Sequence, residues 1–250
     1  MTKKIDKYKV QAALVRSFFD AFSHGVIESQ MEDRNEKTTP QSVKKLMLEH
    51  YEHIAPAFFD TMFFPLAAMN YKYEDIAALA REAQQRGDDM MALVRTACGD
   101  EAYYNAMVEE YKRNFSMLLA GRYLSNADHL EGYVRKAKEE TEASVDSDRA
   151  IELTVRVVMF AYVRGLRQTG EGARFDRSVH LRQVHPLRGA TLFRLMLDAM
   201  NILLLDEAVD FADAEAADLA SLFLKVCQTQ HNFTVMTNEM DRTYSELMKE

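Results

Sequence analysis

The sequence predicts an all-α protein, a single irregular bundle of about nine helices closed by a long C-terminal helix. Three observations predict it. Glycine and proline number only nine and four in 250 residues, whereas a sheet protein of this length draws on both for its many turns. Apolar residues recur at three- and four-residue steps along most of the chain, the period of a helix face. No alternating apolar and polar run finds a second one to pair with.

The elements follow in order. Val15, Phe18, Phe19, Phe22 and Val26 share one face of a first helix over Asp6–Met31. A polar linker over 32–38 interrupts it. Thr39 and Pro40 start a second helix as N-cap and first-turn proline, carrying Val43, Leu46, Met47, Tyr51 and Ile54 inward. Pro56 opens a short helix that Pro65 bends or ends. Within it Phe58, Phe59, Phe63 and Phe64 leave no polar face, which predicts full burial. An amphipathic helix runs from Tyr73 to Arg86 and stops at Gly87. Asp88 and Asp100 are the predicted N-caps of the next two helices, and Ser125 opens a highly charged one. Ile151 to Val158 alternates like a strand, but the apolar run continues through Val163 without a turn signal, so helix is expected. An irregular segment covers 168–188. Two apolar helices follow, over Ala190–Asp206 and Ala214–Met248. The whole of 1–250 reads as one helical domain, with no internal repeat and no domain boundary.

The net charge of −8 disfavours nucleic acid and anionic membrane as partners. No apolar stretch is long enough to span a bilayer. Two cysteines, Cys98 and Cys227, point to a reducing compartment, with the cytoplasm as default address.

Several constellations bear on chemistry. Glu49, Glu52 and His53 are the nearest approach to a metal site, with Glu49 and His53 one helical turn apart. The paired Glu-x-x-His motif of di-iron bundles is absent, so no metal and no cofactor is expected. Cys227 and His231 have the spacing of a thiolate–imidazole pair, though a buried structural cysteine is the commoner case. There is no Walker loop and no nucleophile elbow. These readings lean away from an enzyme.

The charge map is more informative. Between Arg164 and Arg194 stand seven arginines, namely Arg164, Arg167, Arg174, Arg177, Arg182, Arg188 and Arg194, against Glu171 and Asp176 and without a lysine. Arginine used alone suits planar, bidentate contact with carboxylate or phosphate, and His180 and His185 add donors. An acidic stretch follows from Asp198 to Asp218, so an intramolecular ion-pair network is the plainer alternative.

The leading expectation is a non-enzymatic regulatory or adaptor protein that binds an anionic or acidic macromolecule through Arg164, Arg167, Arg174, Arg177, Arg182, Arg188, His180 and His185. A metal-binding protein using Glu49, Glu52 and His53 is one alternative. A small-ligand sensor with a pocket at Phe58, Phe59, Phe63 and Phe64 is another. A continuous helix over Ala214–Met248, roughly 50 Å long, outreaches a domain of this size. Its end, with Met240, Tyr244, Leu247 and Met248, is therefore expected to be covered by a second copy in a homodimer.

Overall fold

The computed structural model describes residues 3–34, 39–121, 143–168, 186–205, 219–247 and 249. Within them lie ten helices and one two-stranded ribbon, so the protein is all-α. Strand β1 (Lys4–Asp6) leads into helix α1 (Lys7–Arg34), followed by α2 (Pro40–Glu49), α3 (Tyr51–Ala68), α4 (Tyr73–Arg86), α5 (Met90–Cys98) and α6 (Glu101–Leu119). Strand β2 (Ser144–Asp146) leads into α7 (Ser147–Leu166), followed by α8 (Pro186–Leu204), α9 (Leu219–Cys227) and α10 (Gln230–Leu247). No helix among the described residues is long and apolar enough to cross a membrane.

Helices α1 and α7 form the centre. Their leading strands pair antiparallel, with Lys4 across from Asp146, Ile5 from Val145 and Asp6 from Ser144. From that ribbon the two helices run side by side in the same direction. They touch at Gly25 and Gly165, and Gln30 Nε2 donates to the Gln168 carbonyl at 2.8 Å near their ends. A Cβ on either glycine would collide with a backbone carbonyl across the contact, that of Tyr162 or that of Phe22. Hydrogen at these two positions is therefore what lets the helices approach so closely. Phe18, Phe19, Phe22, Phe58 and Tyr111 knot α1 to α3 and α6, with Phe18 edge-on to Phe58 at 5.0 Å.

The expectation of no internal repeat is overturned. Each central helix follows a three-residue strand and carries the Gly–Gly contact at the same distance from its start. Val15-Arg16 corresponds to Val155-Arg156, Ala21 to Ala161 and Gly25 to Gly165. The correspondence continues outward. Helices α5 and α6 are joined through Cys98 and a left-handed Gly99, φ 74°, and α9 and α10 through Cys227 and a left-handed Gln228, φ 64°. Buried Met107 and Leu118 on α6 match Met236 and Leu247 on α10. An Arg113–Glu110 ion pair on α6 matches Arg242–Glu239 on α10. Helix α3 packs on α7 as α8 packs on α1. Among the described residues the two halves thus repeat one arrangement of elements around α1 and α7. The repeat hides in the sequence because most matched positions keep burial and lose identity, as in Phe22 with Tyr162 and Leu14 with Thr154.

Four local expectations also change. The segment Ala214–Met248 is not one helix, because Gln228 turns the chain and the Thr229 hydroxyl accepts from Asn232 N at 3.1 Å to start α10. The apolar stripe runs through this break, with Val226 and Met236 buried on either side, so periodicity alone conceals it. Helix α3 passes through Pro56 and Pro65 without ending, and only Phe58 of its four phenylalanines is fully buried. Asp89, not Asp88, caps α5, accepting from Ala92 N at 2.8 Å. Glu49 and His53 do not share a helix, since the chain breaks at His50 between α2 and α3. The Ile151–Val158 run is helical, as expected. The linker positions 35–38, the charged segment from Ser125 to Glu142 and the irregular positions 169–185 lie outside the described residues.

Candidate anion-binding cavity

Helical spacing places Arg156, Phe160, Val163, Arg164 and Arg167 on one face of the C-terminal half of α7. Opposite them, α3 presents Asp60, Thr61, Phe64 and Pro65, and Leu247 closes one end from α10. Between these elements lies a cavity of about 290 Å³. Its walls combine three guanidinium groups with two phenylalanine rings.

Arg156 is the anchored member. Its Nη2 meets Glu246 Oε2 at 2.8 Å and its Nη1 meets Glu239 Oε1 at 3.4 Å. The guanidinium carbon lies 5.4 Å from the centre of the Phe64 ring and 5.5 Å from that of Phe160, within cation–π reach. Burial alone lowers the Arg156 pKa, but the hydrogen bonds and charges of Glu246 and Glu239 outweigh it and raise it overall. Glu239 is itself only 3% exposed. Burial pushes its pKa up against the pull of Arg242, Arg156 and the Thr243 hydroxyl, which donates at 3.2 Å. Arg156 is therefore held in place by the protein, charged and wedged between two rings.

Arg164 and Arg167 stand about two turns and three turns further on. Arg164 Nη2 pairs with Asp60 Oδ2 at 3.1 Å, across the gap between α7 and α3. The Asp60 side chain is half-exposed, at 51%, and Arg164 less so. Arg167 is buried at 6% exposure. A cation this enclosed retains little hydration, so an anion reaching it interacts more strongly than on an open surface.

The duplicated half supplies a contrast. Arg16 takes the place of Arg156 and Asp20 that of Phe160, and Asp198 on α8 lies near both Asp20 and Arg16. Arg16 is buried and its Nε lies 3.5 Å from Asp20 Oδ2. Burial and the neighbouring Asp20 raise the Asp198 pKa to about 7, against the opposing pull of Arg16 and Arg194. One half thus surrounds its central arginine with the chain's own carboxylates. The other pairs it with Glu239 and Glu246, sets it beside Phe64 and Phe160, and leaves a cavity next to them.

Of the arginines singled out in the sequence, Arg164 and Arg167 line this cavity, and Arg194 is exposed on α8 near Asp198. Arg174, Arg177, Arg182, His180 and His185 lie outside the described residues, as do Asp206, Asp210 and Asp213. Arg188 falls within α8, but its side chain is not described. Phe64 belongs to the cavity, whereas Phe58 is in the core and Phe59 and Phe63 pack against it. Sequence reasoning missed Arg156, Asp60 and Phe160. Arg156 had a signal: it is the lone charge between Leu153 and Tyr162 in an otherwise apolar stretch, and charge is seldom buried without a partner.

The other candidates are not brought together. Glu49 and Glu52 are exposed and His53 is half-buried. Among the described residues no three His, Cys, Asp or Glu side chains gather as a metal site. Cys227 is buried, with burial raising its thiol to about 11, while His231 is exposed and faces Asp148 Oδ2 at 2.9 Å. Leu247 is buried in its own chain, Tyr244 is 44% exposed, and Met248 is not described. The described part of the segment from which a dimer was expected is divided at Gln228 into α9 and α10 and is not one continuous helix.

Comparison with protein-family models, with curated proteins and with solved structures finds no match.

Proposed function

We propose that this protein binds a small anionic molecule with an apolar body in the cavity between α3 and α7, and works as a ligand-responsive regulator rather than as an enzyme. The observation that carries this reading is the lining itself, in which Arg156, Arg164 and Arg167 stand on one helix face with Phe64 and Phe160 between them and α3. Guanidinium groups recognise planar anions through paired hydrogen bonds, and the rings favour an apolar or flat body. The volume sits at the low end of small-molecule sites. Burial of Arg167 and anchoring of Arg156 favour a small molecule over the acidic macromolecular surface expected from sequence, which would meet exposed arginines. Among the described lining residues only Asp60 and Thr61 offer acid–base or nucleophilic groups, which favours binding over catalysis. Occupancy would tie α3 to α7 and so couple the ligand to helix packing.

The test is a melting-temperature screen of small organic anions against the wild type, an Arg164→Gln/Arg167→Gln variant and a cavity-filling Val163→Phe variant. A concentration-dependent rise seen in the wild type and lost in both variants supports the reading. Absence of any stabilising anion, or a rise that both variants retain, contradicts it.

A further inference from the structure

Asp60 occupies a distinctive place in this cavity. Its carboxylate sits at the mouth on Arg164, at 3.1 Å, yet its side chain is half-exposed. Nothing in its exposure prevents it from turning out to water. The neighbouring acids differ. Glu239 is buried at 3% and bonded to Thr243, Arg242 and Arg156, and Glu246 holds Arg156 at 2.8 Å. Around the cavity Asp60 pairs with Arg164, Glu239 and Glu246 pair with Arg156, and Arg242 pairs with Glu239 on α10. Glu239 is fixed by burial, whereas Glu246 and Asp60 are both partly exposed, and of these two it is Asp60 that lines the cavity. A carboxylate that takes the place of Asp60 on Arg164 would lie beside the apolar walls of Phe64, Phe160, Val163 and Leu247.

The other half of the molecule supports this reading. There the central arginine is met by Asp20 and Asp198 from within the chain. In the cavity half Phe160 takes the place of Asp20, which removes one chain carboxylate there, while Glu239 and Glu246 remain on Arg156.

We infer that the ligand is a monocarboxylate with an aryl or short aliphatic body, and that Asp60 is a built-in competitor which the ligand displaces from Arg164. The inference rests on the binding reading above and adds to it the ligand's charge and the mode of its control. Asp60 raises the ligand concentration needed for occupancy, because the incoming carboxylate must replace an existing ion pair.

The experiment is calorimetric titration of aryl and C4 to C10 aliphatic monocarboxylates, phenylacetate among them, into the full-length wild type, Asp60→Asn and Arg164→Gln. Phenylacetamide and phenyl phosphate serve as the neutral and dianionic probes. Asp60→Asn should bind the best monocarboxylate about threefold to tenfold more tightly, while Arg164→Gln should bind it at least about tenfold more weakly. Phenylacetamide should not bind. Unchanged or weaker binding in Asp60→Asn, with Arg164→Gln still defective, overturns the competitor role and leaves the binding reading intact. Preference for phenyl phosphate overturns the monocarboxylate assignment and likewise leaves the cavity as an anion site. Binding of no anion by wild type or Asp60→Asn overturns both.

Discussion

Gly25 and Gly165 meet backbone to backbone at the crossing of the two central helices, and each lies where a methyl group would collide with the other helix's carbonyl. Alanine at either position must push α1 and α7 apart in a core where Phe22 and Tyr162 are already fully buried. Gly25→Ala and Gly165→Ala are each expected to destabilise the protein by about 3 kcal/mol, the upper range for overpacking. The double variant should lose less than the sum, because one insertion already opens the crossing. Urea denaturation of the three variants measures this. Additive losses would show that the two glycines are not in one contact.

The ion cluster behind the cavity carries a second expectation. Arg156→Met leaves Glu239 buried with Arg242 as its remaining cation, and should cost about 3 kcal/mol. Glu246→Gln, at a position 42% exposed, should cost under about 1 kcal/mol. If Glu246→Gln proves as damaging as Arg156→Met in chemical denaturation, the division of roles between the two glutamates is wrong.

A third expectation concerns pH. Burial and the nearby Asp20 raise the Asp198 pKa from 3.8 to about 7. Between those values the folded protein keeps a proton that the unfolded chain has released. The contribution of Asp198 to stability is therefore greatest below about pH 4, declines as pH rises, and levels off above about pH 7. Asp198→Asn removes this slope. Melting temperatures across that window should show the wild type losing ground against Asp198→Asn as pH rises; a constant difference would place the titration elsewhere.

The all-α class and most helix starts were legible because they depend on local chemistry, such as Thr39 before Pro40 and the period of α1. What stayed hidden depends on pairing between distant residues. The duplication rests on burial shared by Leu14 and Thr154 or by Phe22 and Tyr162, which identity does not reveal. The break at Gln228 was masked because the apolar stripe continues in phase across it, and because glutamine is an uncommon residue at a left-handed turn. At the candidate site, the arginine-only charge pattern led to Arg164 and Arg167. Arg156, which organises the cavity, was obscured by the strand-like alternation around it. Asp60 carried no signal, since its role arises only when α3 is laid against α7.

The most direct test of the cavity as a carboxylate site is a crystal structure with bound 4-bromophenylacetate, in which anomalous scattering locates the bromine without reference to the surrounding chain. The expected result is a bromine peak between Phe64 and Phe160, the carboxylate on Arg164, and Asp60 turned out to solvent. A crystal soaked at a concentration that saturates binding in solution, yet showing an empty cavity with Asp60 still on Arg164 and bromine elsewhere, would contradict it.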